Sequence, residues 1–233
     1  MENTTGNRSG GEKAGDPFGC LEILAPQRMI TLRAGDQELL VHENVLTQGS
    51  RYFQACLAGS PRFAESRTGT IAFHDVDPVT LRHYVNFAYH RAFFSGYAVP
   101  KSCNQPGGGS VASLARVYRL CDRFLNAALQ WHVGTALAFV LDLVGRPRPP
   151  LGQGAPDLKT WIADYAEAYE TLDGGDRAQQ MLREKLLVSF FKHFPVIRLR
   201  EHSQAVAHHP RFRFEVNRRF AILLRMPANR FLA

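Results

Sequence analysis

The chain has 233 residues, 45% of them apolar, which is enough for a sizeable buried core and excludes global disorder. Its net charge of +7 is unevenly spread: from Arg183 onward eleven Lys or Arg stand against Glu184, Glu201 and Glu215, a net +8, so everything before Arg183 sums to −1. The start lacks a secretory pattern and no stretch reaches the ~18 uninterrupted apolar residues of a membrane span, so the expectation is a soluble intracellular protein, cytoplasmic, nuclear or both.

Residues 1–18 are polar and glycine-rich without an apolar period, and read as a disordered arm. RMITLR, Arg28 to Arg33, alternates and is rich in branched residues. Ala34-Gly35-Asp36-Gln37 supplies a turn and Glu38 to Val41 a second extended run, so a β-hairpin is predicted. His42-Glu43-Asn44 opens a short helix carrying Val45 and Leu46 inward. Ser50 is a good N-cap for the next, with Phe53, Cys56 and Leu57 on its buried face. Thr70 to Phe73 reads as a third strand. Asp77-Pro78 is the clearest helix start in the chain, since Asp accepts from free amides and Pro suits the first helical position. Leu81, Tyr84, Val85 and Ala88 then follow a helical stripe.

Pro100, Pro106 and three consecutive glycines make Ser95 to Ser110 a loop. Helix resumes at Leu114 and is predicted to run on through Leu129 into Leu137 to Leu143. Residues 146–156, RPRPPLGQGAP, form a Pro/Gly linker. Beyond it, Leu158 to Leu172 and Asp176 to Phe194 are helical by period, separated by Gly174-Gly175. The basic tail alternates: Arg211 to Val216 reads as an edge strand with its arginines outward, followed by a helix over Glu215 to Leu224. Its apolar positions, Phe212, Phe214, Val216, Phe220, Leu223 and Leu224, are numerous enough to require burial.

No phosphate-binding loop, nucleotide fingerprint, nucleophile elbow or zinc-protease motif is found, so no enzyme and no cofactor is expected. Gly107-Gly108-Gly109 has neither a strand before it nor a Lys after it. His202, His208 and His209 sit among cations without a Cys or carboxylate pair, so no metal is expected. Cys56 and Cys121 read as small core hydrophobes. Arg211, Arg213, Arg218 and Arg219, interleaved with Phe, form either a solvated basic face or a contact for nucleic acid or an acidic partner.

Ile30, Leu32, Gly35, Leu39, Val41, His42, Leu46, Ser50 and Phe53 fall in register across two strands and two helices. Glu65-Ser66, a strand, an Asp-Pro and a helix ending Phe87-Ala88-Tyr89 follow. This pattern resembles a BTB/POZ domain, in the style of the BTB proteins of filamentous fungi. The resemblance implies an α/β (α+β) fold over residues 19–145, a small sheet with a helix cluster, followed by an all-helical basic extension over 157–233. It implies a non-enzymatic protein–protein interaction module that associates with itself or recruits adaptor partners. In that pattern His42 is a structural residue joining strand to helix.

Members that serve cullin ubiquitin ligases as adaptors carry an apolar-x-Glu element between the second helix and third strand, and Phe63-Ala64-Glu65 matches it. An apolar anchor would fill a pocket beside a hydrogen-bonding carboxylate. The alternative is that Glu65-Ser66 only belongs to the fold's turn. Such adaptors also carry a helical pair and a separate substrate-binding module; helices follow here, but no recognisable substrate module does. Dimeric members have an acid early in the first strand and a cation after the His. Here Arg28 and Glu43 stand at those places with signs exchanged, still complementary within a chain or across an interface. The other reading of the chain is a nuclear regulatory protein using its basic C-terminal region on nucleic acid.

Overall fold

The computed structural model describes residues 28–58, 64–93, 110–143, 158–193 and 203–224. The predicted arm over 1–18, the linker over 146–156, most of the 95–110 loop and Gly107 to Gly109 lie outside these residues. Strand β1 (Met29–Ala34) turns through Gly35 and Asp36 into β2 (Gln37–His42), with Ala34 opposite Gln37. Gly35 takes φ +57°, the left-handed region that a two-residue hairpin turn requires. Helices α1 (Glu43–Thr47), α2 (Arg51–Leu57) and α3 (Ala64–Thr68) then carry the chain to β3 (Thr70–Phe73). β3 pairs parallel with β1, giving the strand order β2-β1-β3.

Alternation decides which face of this sheet is buried. Ile30, Leu32 and Ala34 of β1 point inward with Val41, Ile71 and Phe73, while Leu40 is 64% exposed. Helix α4 (Pro78–Phe93) begins where Asp77 accepts from the Thr80 amide at 2.9 Å and from the Thr80 hydroxyl at 2.7 Å. Its Leu81, Tyr84 and Phe87 are fully buried. The centre of the domain is aromatic: Phe124 lies 4.8 Å from Phe53, 5.0 Å from Tyr84 and 5.2 Å from Phe73 between ring centroids. Cys56 and Cys121 are buried free thiols.

Helix does not run unbroken from Leu114 to Leu143. Helix α5 (Val111–Arg123) stops and α6 (Ala127–Leu143) starts afresh. Leu125 adopts φ +50°, and Asn126, almost wholly buried, accepts from the Leu129 amide at 3.1 Å as the new N-cap. Its amide nitrogen also donates to the Tyr84 hydroxyl at 3.2 Å. The break is fixed by this tertiary partner, so the apolar period on either side gives no sign of it.

Helices α7 (Leu158–Thr171) and α8 (Arg177–His193), a short 3₁₀ turn (Ser203–Val206) and α9 (Pro210–Leu224) complete the described chain. The predicted edge strand over Arg211 to Val216 is instead the first half of α9. Phe212 and Val216, four residues apart, are buried, whereas Phe214 is 67% exposed on the opposite side. Over six residues the apolar spacing fits either period, and two facts select the helix. Pro210 occupies the first helical position, and Glu170 of α7 accepts from the amides of Arg211 and Phe212 at 2.7 and 3.0 Å. The expected burial of Phe214 is therefore wrong, because a strand would have aligned it with Phe212.

Helix α7 is the keystone of this half. It packs on α5, α8, the 3₁₀ turn and α9, and its Asp164 accepts from the amides of Val111 and Ala112 at 2.8 and 3.1 Å. One apolar cluster runs from Ile30 of β1 to Val216 of α9.

Candidate interaction site

The segment after α2 approaches the sheet through α3. Ala64 is exposed and Glu65 half-buried in the first turn of α3; Phe63, the apolar member of the predicted element, lies outside the described residues. Three bonds fix α3 in space. The Gly69 amide donates to the Glu65 carbonyl at 2.9 Å, the Thr31 amide of β1 donates to the Gly69 carbonyl at 2.8 Å, and Arg28 donates to the Ser66 carbonyl. The Glu65 carboxylate itself makes no hydrogen bond or ion pair with a described residue.

Arg28 therefore does two things. Besides holding α3, its guanidinium stands 3.6 Å from the Glu43 carboxylate within the same chain, while the Glu43 amide donates to the Arg28 carbonyl at 3.0 Å. Both side chains remain partly exposed, at 41% and 28%.

Behind Glu65 lies a short polar seam that the sequence did not single out. Tyr52 stacks on Phe124 at 5.3 Å and 26°. Burial above all, with the nearby Cys56 sulfur and Glu65 carboxylate adding, pushes its phenol up to about 12. Burial likewise raises the Cys56 thiol, so it stays protonated and unreactive at neutral pH. Tyr52 is a neutral hydrogen-bonding wall beside Glu65, not a catalytic group.

His42 sits at the opposite edge. Its backbone N–H donates to the Tyr89 hydroxyl at 3.1 Å and its Nδ1 lies 2.7 Å from the same oxygen. His42 joins β2 to α4 through Tyr89.

The four tail arginines do not form one free basic face. Arg218 donates to Glu215 at 3.0 Å, Arg219 pairs with Glu184 and Arg211 stands 3.9 Å from Glu170. Arg213 alone makes no such contact with a described residue.

A family model of the BTB/POZ domain matches residues 29–106. The hairpin, the parallel third strand and helices α1 to α4 lie within that interval. Residues 29–106 are a BTB/POZ domain. The chain is also similar to Kelch-like protein 30 of Mus musculus, 29% identical over 157 residues, 67% of this chain and 25% of that protein. The Homo sapiens Kelch-like protein 30 gives 29% over 167 residues, 68% of this chain and again 25% of the relative. The chain thus covers about a quarter of the curated relatives it matches. Both matches are longer than the BTB/POZ interval itself and reach into other parts of the chain. Among the described residues no helix is long and apolar enough to cross a membrane.

Proposed function

We propose that this chain is a non-enzymatic adaptor whose BTB/POZ domain recruits a cullin-type ligase scaffold through the surface at α3. The observation that carries the reading is the Glu65 carboxylate: half-exposed, bonded to no described group, and held on a helix tied to Thr31 and Arg28 through Gly69 and Ser66. A carboxylate without an internal partner forfeits no bond when a partner's donors approach, whereas an ion-paired one must first be released. Ala64 beside it leaves room for a close backbone approach, and the neutral Tyr52 phenol supplies a second polar contact at the rim. The similarity to Kelch-like proteins over the domain and beyond agrees with an interaction role.

The test mixes the full chain with the N-terminal domain of a cullin scaffold and follows mass by light scattering after size exclusion. A complex of summed mass supports the reading, and two separate peaks at concentrations of tens of micromolar overturn it.

Self-association is the second reading, favoured by Leu40, which is exposed on β2, an edge strand among the described residues. The Arg28–Glu43 pair is closed within one chain, so an interface built on it would have to exchange partners. A dimer whose mass falls to that of a single chain in Leu40→Lys would make β2 the contact.

A further inference from the structure

The outward side of α9 holds large apolar side chains in water. Arg213, Phe214, Asn217, Arg218, Ala221 and Ile222 recur one and four residues apart, so they share one side of the helix, opposite Phe212 and Val216. Phe214 is 67% and Ile222 49% exposed, eight residues apart, which sets them about 12 Å from each other along the axis. Two large apolar side chains held this far into water flank a strip whose only charges are positive.

The charge ledger of α9 says what kind of partner fits. Its four arginines face three carboxylates, Glu215 of the same helix, Glu170 of α7 and Glu184 of α8. Glu215 is drawn inward, its side chain only 13% exposed, and serves both Arg218 and Arg219. The residual cation is Arg213, beside Phe214, and the Arg218 side chain remains 57% exposed although its guanidinium is paired. Among the described residues of this face one surplus charge remains, too little for a phosphate backbone, whose proteins engage several phosphates at once. Two copies docking face to face would set Arg213 and Arg218 against the same residues of the partner, with no outward acid between them. An apolar surface carrying a carboxylate satisfies both features.

We propose that this face of α9 binds an acidic amphipathic segment of another protein, with Phe214 and Ile222 as apolar anchors and Arg213 as the charge contact. This surface does not depend on Glu65, so either can fail without the other.

The experiment selects displayed 16-residue peptides against the full chain, with an excess of the Arg213→Glu, Phe214→Glu double variant as competitor. The expected winners carry Asp or Glu within one helical turn of large apolar residues. As synthetic peptides they lose about tenfold in affinity to Phe214→Ala and to Arg213→Glu, about 1.4 kcal/mol each, at unchanged melting temperature. Failure to find any peptide that tells the chain from the double variant overturns the proposal, as does enrichment of peptides without acids. Binding of a 20-nucleotide single strand that Arg213→Glu abolishes and salt steeply weakens would assign the face to nucleic acid instead. A loss of oligomer mass in Phe214→Ala would assign it to a second copy of the chain.

Discussion

Ser50 is wholly buried, and its hydroxyl serves two elements: it donates to the Phe124 carbonyl at 2.6 Å and accepts from the Phe53 amide at 3.2 Å. Ser50→Ala leaves a buried carbonyl and a helix-end amide without partners, so thermal unfolding should show a loss of about 1–3 kcal/mol. Its capping role was legible in the sequence, but the bond to Phe124, seventy-four residues away, was not. His132 makes the opposite case. It is buried, its Nε2 finds no partner among the described residues, and its ring stacks on His90 at 5.9 Å. Burial first, then the His90 and Arg91 charges, lower its pKa, and burial lowers that of His90. The unfolded chain therefore takes up these protons first. Stability is fully present above the ordinary imidazole value of about 6.5 and is lost as pH falls below it. Melting temperature should drop between about pH 7 and pH 5, and His132→Leu should flatten the fall. His83 and His193, also lowered by burial, retain part of the slope.

At the scale of elements, α7 closes two helix ends at once. Asp164 caps α5 and Glu170 caps α9, each with one carboxylate on two amides. Asp164→Ala and Glu170→Ala should each cost about 0.5–2 kcal/mol in denaturant unfolding, since capping and helix-dipole terms are both lost. A comparable lock sits in the turn between α7 and α8. A Cβ on Gly174 would lie 2.3 Å from the Arg183 guanidinium, which rests 4.1 Å over the Tyr169 ring. Gly174→Ala should displace that stack and cost no more than about 0.5–1 kcal/mol, since the flexible Arg183 side chain can move aside, and the same measurement reads it. A cap close in sequence can be read from it; one from a distant element cannot. Asp77 and Ser50 cap their own helices and are legible locally. Asp164 and Glu170 cap helices fifty-three and forty-one residues away, so Arg211 to Val216 read as a strand; the Asn126 cap is local, but the bond to Tyr84 that fixes it between α5 and α6 is not.

Over the whole molecule the BTB/POZ interval, its strands and His42, Ser50 and Phe53 were legible because they follow local packing rules. Two parts of the candidate site were not. The Tyr52–Cys56 seam behind Glu65 arises from α2 and α3 meeting, and the solvent-facing Phe214 depends on α9 being a helix. A single apolar cluster spans β1 to α9, so amides of β1 and α7 should exchange hydrogen through openings of similar free energy. Two well-separated classes of global opening would contradict that continuity. Whether α3 offers Glu65 to a ligase scaffold is decided by calorimetric titration of the cullin N-terminal domain into the full chain and into Glu65→Ala. Measurable binding to the native chain is expected, weakened about tenfold or more in Glu65→Ala at an unchanged melting temperature. Equal affinity for both proteins, or no heat of binding with either, would contradict it.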